Sequence, residues 1–157
     1  SMCRGCKIVA LDVLDQRGVD RYIKRYFAAL GSRKRLASIV GIHNYSDTNR
    51  YRDSGTRLIL KTVKRYNRRA KFWLTETGGV VKFGEGREFP YSESRAANRT
   101  RWMFRLAHRY RRRIGRLYVY KWYGERPGAR FDAGLVGPDG SPRRAYSVVA
   151  EHARSHR

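Results

Sequence analysis

The sequence has 157 residues, of which 41% are apolar and 13% aromatic, enough for a single domain over 1–157 with its own hydrophobic core. No apolar run approaches the roughly 18 residues that a membrane helix needs, so we expect no membrane partner. Lys and Arg number 36 against 13 Asp and Glu, a net charge of +23. This excess favours an anionic partner, nucleic acid first, although solvated helix faces are the alternative interpretation.

Cys3 and Cys6 lie near the start of the chain with the spacing C-x-x-C. A zinc site needs about four ligands, and no second Cys pair or close His pair follows. A redox motif of this spacing normally opens a helix after a strand, whereas this pair precedes a predicted strand. We therefore predict two incidental thiols, and no metal or other cofactor.

Strand-like and helix-like segments alternate along the chain. Residues 7–14 form a nearly continuous apolar run, typical of a strand buried on both faces, and residues 19–30 then repeat with helical spacing up to Gly31. The later segments follow the same order, with strands over 38–45, 71–76 and 116–123 and loops over 46–53 and 80–91. The helices are predicted over 56–69 with Ser54 or Asp53 as the N-cap, after the N-cap Ser92 with a helical stripe that reaches Ile114, and after the N-cap Ser141 with Pro142 as its first residue. Four β-α units in tandem predict an α/β fold with a parallel sheet.

The third predicted strand ends in Glu76, and a Gly-Gly pair follows. Carboxyl ends of parallel strands are where α/β folds place their chemistry. Alternation predicts that Phe72 and Leu74 share the face of Glu76 and form a packed barrel interior beneath it. A lone Glu after a strand is more often a loop charge or a helix-capping group, so its role depends on the neighbouring strand ends.

The neighbouring strands end in polar and aromatic side chains. His43 and Tyr45 share one face of the second predicted strand, and Trp122 lies at the end of the fourth. Taken singly, His43 is more often a hydrogen-bonded structural residue and Trp122 a core residue. With Glu76 they make a carboxylate, two hydrogen-bonding rings and an aromatic platform, a set suited to a sugar.

Several short motifs occur in a characteristic order: H-N-Y at 43–45, W-L-T-E-T-G-G at 73–79, V-Y-K-W-Y at 119–123 and F-D-A-G-L-V-G-P-D-G-S-P-R-R-A-Y at 131–146. In order and spacing they resemble the last three β-α units of TIM-barrel retaining glycoside hydrolases, the superfamily of cellulases, mannanases and xylosidases. The resemblance spans about residues 7–149, and it makes the first strand here equivalent to the fifth strand of the family.

The resemblance implies a role for each candidate residue. Glu76 corresponds to the nucleophile that forms a glycosyl-enzyme intermediate, and Tyr45 to the residue that hydrogen-bonds it. His43 is expected to help bind the sugar, and Trp122 to line the subsite at the cleaved bond. The expected partner is therefore a carbohydrate substrate.

The second carboxyl group of a retaining mechanism, about 5 Å from the first, has no counterpart in the sequence. The family supplies it from an Asn-Glu pair, and no Asn-Glu dipeptide occurs in this chain. Asp15, Asp47 and Glu125 follow predicted strands, but none stands at the family's position. A full barrel has eight strands in about 250 residues, whereas four strands are predicted here.

We therefore expect a (β/α)4 half of a TIM barrel, equivalent to units five to eight, that is inactive without the half carrying the acid/base. The exposed inner face of such a half predicts association with a missing N-terminal half or with itself, as a homodimer. Two other functions fit the sequence: a basic module that binds nucleic acid through the Arg-rich helix around 109–113, and a degenerate relative that binds sugar without cleaving it.

Overall fold

The computed structural model describes residues 5–85 and 88–155. Its elements alternate as the sequence predicts, with short additional helices and strands in the connections. In chain order they are β1 (Leu11–Leu14), α1 (Val19–Leu30), a 3-10 helix (Gly31–Leu36), β2 (Ile39–His43), α2 (Tyr45–Asn49), α3 (Ser54–Tyr66), β3 (Lys71–Thr77), β4 (Lys82–Phe83), α4 (Glu93–Arg109), β5 (Ile114–Val119), β6 (Phe131–Asp132) and α5 (Arg144–Arg154).

The main sheet has four parallel strands in the order β1-β2-β3-β5. Each strand pairs with the next one along the chain, so the predicted α/β architecture of four parallel strands alternating with helices is confirmed. The register sets Leu14 beside His43 and His43 beside Glu76. Strands β4 and β6 pair antiparallel in a separate two-stranded sheet. The carboxyl ends of β1, β2 and β3 therefore lie side by side.

The hydrophobic core lies between the sheet and its helices. Phe72 and Leu74 of β3 are fully buried in one cluster with Ile23 and Phe27 of α1 and Ile59 of α3. The prediction that Phe72 and Leu74 form a barrel interior beneath Glu76 is therefore wrong. In a layer of strands covered by helices on one side, the largest apolar side chains pack against those helices.

The opposite face of the sheet carries aromatic side chains that are partly exposed. The rings of Trp73 and Tyr118 lie 6.1 Å apart, and the Arg116 guanidinium lies 4.7 Å from the centre of the Trp73 ring. Tyr118 is 43% exposed and Tyr120 is 38% exposed. This face of the sheet is the more open of the two.

Several predicted boundaries differ from the structure. The first strand begins at Leu11 rather than Lys7, and the fourth strand ends at Val119 rather than Tyr123. Ile114, assigned to the helical stripe, is the first residue of β5. The predicted loop over 46–53 contains all but the first residue of the short helix α2, because hydrophobic periodicity cannot reveal a helix of five residues.

The predicted N-cap hydrogen bond is present at one helix and absent at two others. Ser92 caps α4 as predicted, since its side chain accepts a hydrogen bond from the Arg95 amide. Asp53 precedes α3, but its carboxylate accepts hydrogen bonds from Tyr110 and Arg109 instead of from the helix amides. Ser141 donates its hydroxyl proton to Asp139 within a turn, and α5 begins only at Arg144.

A buried ion pair attaches β6 to the start of α5. Arg143 and Asp132 are both about 5% exposed, and two guanidinium nitrogens donate to the two carboxylate oxygens at 2.9 Å. Burial opposes the charged carboxylate, but the bonds from Arg143 outweigh it and hold the pKa of Asp132 below its usual value. This pair fixes the strand that carries Phe131.

Cys6 forms a disulfide bond, so the prediction of an incidental thiol is wrong for that residue, and Cys3 lies outside the described residues. Spacing alone does not distinguish a disulfide-bonded cysteine from a free thiol. None of the helices in the described ranges has the length and apolar character to cross a membrane.

Candidate active site

His43, at the end of β2, stands between two carboxylates on neighbouring strands. Its Nε2 atom lies 3.2 Å from Oδ1 of Asp12, and its Nδ1 atom lies 3.7 Å from Oε2 of Glu76. The parallel register creates this arrangement, because His43 pairs with Glu76 on one side and with Leu14 on the other. When the imidazole is protonated, each of its N–H groups faces one carboxylate.

Asp12 completes this group, and the sequence interpretation missed it. The Thr75 hydroxyl donates a 2.6 Å hydrogen bond to Oδ1 of Asp12, the same oxygen that faces His43. Asp12 lies within the apolar run of the first strand, which predicts burial on both faces. The structure shows alternation instead, with Leu11 and Val13 buried and Asp12 exposed. The single carboxylate inside that run was the available signal.

Thr75 and Glu76 are neighbours in the sequence, yet both reach the Asp12–His43 pair. Regular strand geometry sends neighbouring side chains to opposite faces. The register is irregular between Ile42 and His43 and again between Leu74 and Thr77, and this irregularity lets Glu76 approach His43. Irregularities of this kind redirect side chains at the ends of strands.

The Gly-Gly pair after Glu76 is explained by two close backbone contacts. A Cβ atom on Gly78 would lie 2.7 Å from the carbonyl oxygen of Tyr120, and one on Gly79 would overlap the carbonyl oxygen of Ala96. The Asn49 amide nitrogen donates to the Gly78 carbonyl at 3.0 Å. The chain therefore leaves β3 in a narrow passage between α2, α4 and the end of β5.

Tyr45 is the first residue of α2 rather than the last residue of a strand. Burial is the main cause that raises the pKa of its hydroxyl, and the negative charge of nearby Glu76 adds to the effect. Although Glu76 acts on this pKa at close range, no well-formed hydrogen bond joins the two groups. The buried hydroxyl has no hydrogen-bond partner among the described residues. It remains protonated and lies close to the Glu76 carboxylate.

The aromatic residues beside Tyr45 are Tyr120 and Phe131, whose rings meet it edge-on at 6.5 and 5.5 Å. Trp122, the predicted sugar platform, is 54% exposed and packs edge-on against Tyr146 at 5.8 Å. The structure thus brings His43, Tyr45 and Glu76 together and places Trp122 outside the pocket that they line.

A pocket of about 370 Å³ opens beside Glu76. Phe83, Phe89 and Phe131 line one side of it, with the Phe83 ring 6.1 Å from that of Phe131. The guanidinium of Arg50 lies 5.2 Å from the centre of the Phe89 ring. An apolar wall facing a few convergent polar groups is the usual composition of a small-molecule site.

The carboxylates proposed as alternatives to the family's acid/base make other contacts. Asp15 accepts backbone hydrogen bonds from Ser46 at 3.0 Å and Asp47 at 2.5 Å, which anchors α2 to the end of β1. Asp47 is fully buried and accepts the amides of the first turn of α3, and Glu125 pairs with Lys121. Burial raises the pKa of Asp15 to about 7, although the two amides oppose the shift.

Within residues 5–85 and 88–155, no cluster of three or more His, Cys, Asp or Glu side chains is placed to hold a metal ion.

No family model matches the sequence, and no curated protein matches it. Solved structures do match. A thermostable mutant of a xylanase from Cellvibrio japonicus shares 13% identity, with a TM-score of 0.59 over 87% of this chain and 45% of that one. A β-glucuronidase from Ruminococcus gnavus, in complex with an N1-substituted uronic isofagomine, shares 14% identity, with a TM-score of 0.54 over 87% of this chain and 29% of that one.

A Bifidobacterium dentium β-glucuronidase complexed with coumarin-3-O-glucuronide gives a TM-score of 0.52 at 11% identity, over 83% of this chain and 27% of that one. The chain thus spans less than half the length of each of these structures. At such low identity the likeness concerns the fold alone. The four parallel strands and their helices have the arrangement found in TIM-barrel glycoside hydrolases.

Asp15 is expected to make the stability of the fold depend on pH. Because burial raises its pKa from 3.8 to about 7, the folded state holds a proton that the unfolded state has lost between about pH 4 and 7. This group therefore lowers the free energy of unfolding as the pH rises through that window, by up to about 1.4 kcal/mol per pH unit. Asp15→Asn has no carboxyl group to titrate at this position. The free energy of unfolding of the variant, relative to that of the natural chain, should therefore increase from pH 4 to pH 7.

Urea unfolding at several pH values measures the difference, with Asp20→Asn, a partly exposed residue in the first turn of α1, as the matched control. Asn keeps only one acceptor oxygen for the two amides, so the variant should also lose some stability at every pH, in addition to the change in how its free energy of unfolding depends on pH. Parallel pH profiles for Asp15→Asn and the natural chain would contradict the burial of an ionisable Asp15.

Proposed function

We propose that this chain is the nucleophile-bearing part of a retaining glycoside hydrolase and that Glu76 is the nucleophile. The observation that carries the proposal is the position of Glu76, at the end of β3, 3.7 Å from His43 and beside the buried hydroxyl of Tyr45. Glu76 also lines the pocket of about 370 Å³. The strand-end location is where TIM-barrel enzymes place catalytic groups.

In the proposed reaction, a Glu76 oxygen attacks the anomeric carbon as the bond from that carbon to the leaving oxygen breaks. The leaving oxygen takes a proton from an acid and departs as an alcohol, which leaves a glycosyl ester on Glu76. The acid, now without its proton, deprotonates a water molecule, which attacks the anomeric carbon and restores the Glu76 carboxylate. Chemistry at the sugar is thus divided into two displacements.

Tyr45 is suited to position the nucleophile. Its hydroxyl stays protonated because burial and Glu76 both raise its pKa, and it has no hydrogen-bond acceptor within the described residues. A small movement on substrate binding would let it donate to Glu76 and orient the attacking oxygen. His43, held by Asp12, is proposed to hydrogen-bond the sugar. For Trp122 we retain the proposal of a sugar contact, which would require the indole to leave Tyr146.

The acid/base is proposed to come from a second half barrel. The sequence lacks an Asn-Glu pair, and Asp15 and Asp47 are committed to backbone amides. Domain 1–157 would then supply units five to eight, and an N-terminal (β/α)4 half would supply the other carboxyl group. The four-stranded sheet and the coverage of 27–45% of the matched structures support this division.

The open face of the sheet supports association in the absence of that half. Leu14, Tyr118 and Tyr120 are 46%, 43% and 38% exposed there, and β1 and β5 are edge strands of the sheet. Exposed apolar surface and unpaired parallel edges favour burial against another chain. A pseudo-barrel homodimer would bury both faces and would place two Glu76 side chains at one mouth.

Tyr118→Lys tests the proposed homodimer. The natural chain is expected at twice its 18.4 kDa mass in sedimentation equilibrium, and the new charge on the inner face should shift it to the monomer. Tyr22→Lys is the matched control, because Tyr22 is 59% exposed on the helical side of the fold. A monomeric natural chain, or equal dissociation by the two variants, would contradict an inner-face dimer.

Glu76→Gln tests the catalytic proposal. When the chain is co-expressed with an N-terminal (β/α)4 half of a barrel hydrolase, it should release the phenolate of an activated aryl glycoside. Glu76→Gln should reduce the rate by roughly 10³-fold or more, because an amide is a poor nucleophile.

Glu151→Gln removes the same charge from the exposed side of α5 and should leave the rate unchanged. Circular dichroism checks that both variants are folded. Equal activity of Glu76→Gln and Glu151→Gln would show that Glu76 is not the nucleophile.

A further inference from the structure

The end of the sheet opposite Glu76 is strongly basic. The connections that enter β2, β3 and β5 cover residues 31–38, 67–71 and 110–116, and parallel strands place all three at the amino end of the sheet. They contain three, three and four Lys or Arg residues and no Asp or Glu. We call this surface the basic end.

A cleft of about 520 Å³ lies in the basic end. Seven cationic residues line it: Lys7, Arg69, Lys71, Arg111, Arg112, Arg113 and Arg116. All seven are exposed, and no carboxylate is among the described residues that line the cleft. A concave surface with one sign of charge concentrates ions of the opposite sign.

The arginines of the segment 109–113 are not equivalent. Arg109 belongs to α4 and pairs with Asp53 at 3.0 Å, so its charge is already matched. Arg111, Arg112 and Arg113 follow the helix and face the cleft. The basic surface is therefore formed by the connections between elements, and not by the helix that the sequence indicated.

Like charges crowd one another beside this cleft. Lys64 of α3 has a lowered pKa, first because it is partly removed from water and then because of the charges of Arg113, Lys71 and Arg68. Repulsion of this kind opposes folding unless counter-ions or a polyanion neutralise it. Binding a ligand with several negative charges would relieve this repulsion, which favours such a ligand.

The lining of the cleft indicates the kind of polyanion. Arginine side chains pair with phosphate through two parallel hydrogen bonds, and this cleft is richer in Arg than in Lys. Trp73 adds a partly exposed indole ring to the lining, with the Arg116 guanidinium 4.7 Å from its centre. Basic grooves interspersed with aromatic rings are typical of surfaces that bind single-stranded nucleic acid, where bases stack on the rings.

We propose that the basic end binds single-stranded nucleic acid through its phosphate backbone, with a base against Trp73. This site is separate from the candidate active site. Lys71 and Glu76 are at opposite ends of β3, about 17 Å apart at 3.3 Å per residue. The inference therefore does not depend on the proposed hydrolase function, and either can fail without the other.

Fluorescence anisotropy of a labelled 20-nucleotide single-stranded DNA, titrated with the full chain over a salt series, tests the proposal. The triple variant Arg111→Gln/Arg112→Gln/Arg113→Gln should weaken binding at least about tenfold at 0.1 M salt. It should also reduce the slope of log K against log salt by about 2, at roughly 0.7 for each lost phosphate contact.

The matched control is Arg21→Gln/Arg126→Gln/Arg130→Gln, which removes the same charge from exposed positions at the other end of the fold. A second variant of the basic end, Arg68→Gln/Arg69→Gln/Lys71→Gln, repeats the test if the first fails to fold. Equal weakening by the control, or no binding by the natural chain, would overturn the proposal. Displacement by heparin at a far lower charge concentration than by unlabelled DNA would also overturn it, since the ligand would then be another polyanion.

Discussion

The parallel pairing of β2 with β3 is the constraint on which the site depends. It places His43 beside Glu76, and the pairing of β2 with β1 brings Asp12 to the other side of the same imidazole. The irregular register at the ends of β2 and β3 adjusts this placement, so that a carboxylate next to Thr75 reaches His43. The site is thus built from residues of three neighbouring strands, so it exists only when the sheet is formed.

A second set of hydrogen bonds holds α2 and the chain after β3 against these strand ends. Asp15 holds the amides that begin α2, and α2 carries Tyr45. Asn49, at the other end of α2, donates to Gly78 and accepts the Val80 amide at 2.8 Å, which fixes the chain where it leaves β3. Two buried polar side chains therefore position the hydroxyl and the carboxylate that we propose to act together.

The polarity of a parallel sheet separates two kinds of chemistry. Carboxylates gather toward the carboxyl end, with Asp12 in β1, Asp15 directly after β1 and Glu76 near the end of β3. Lys and Arg gather at the amino end, in connections without a single acidic residue. A proposed sugar site and a proposed nucleic-acid site can therefore occupy one small fold without overlapping.

The order of elements followed from the sequence because helical and strand periodicities differ and each segment was long enough to show one of them. The grouping of His43, Tyr45 and Glu76 followed from parallel topology. Three features did not follow. Alternation misassigned the face of Phe72 and Leu74, the apolar run around Asp12 concealed a site residue, and the fourth strand ends at Val119, before Trp122. Each of these depends on tertiary packing or on an irregular register, which local patterns do not contain.

Covalent trapping tests the role of Glu76 most directly. Dinitrophenyl 2-deoxy-2-fluoroglycosides of xylose, glucose and glucuronic acid lose a leaving group that needs no protonation, so a chain without its acid/base partner can still form the ester. Peptide mapping by mass spectrometry should find one adduct, on the peptide that contains Glu76. An adduct on Asp12 or Asp15, or none from any of the three sugars with the half-barrel partner present, would contradict Glu76 as the nucleophile.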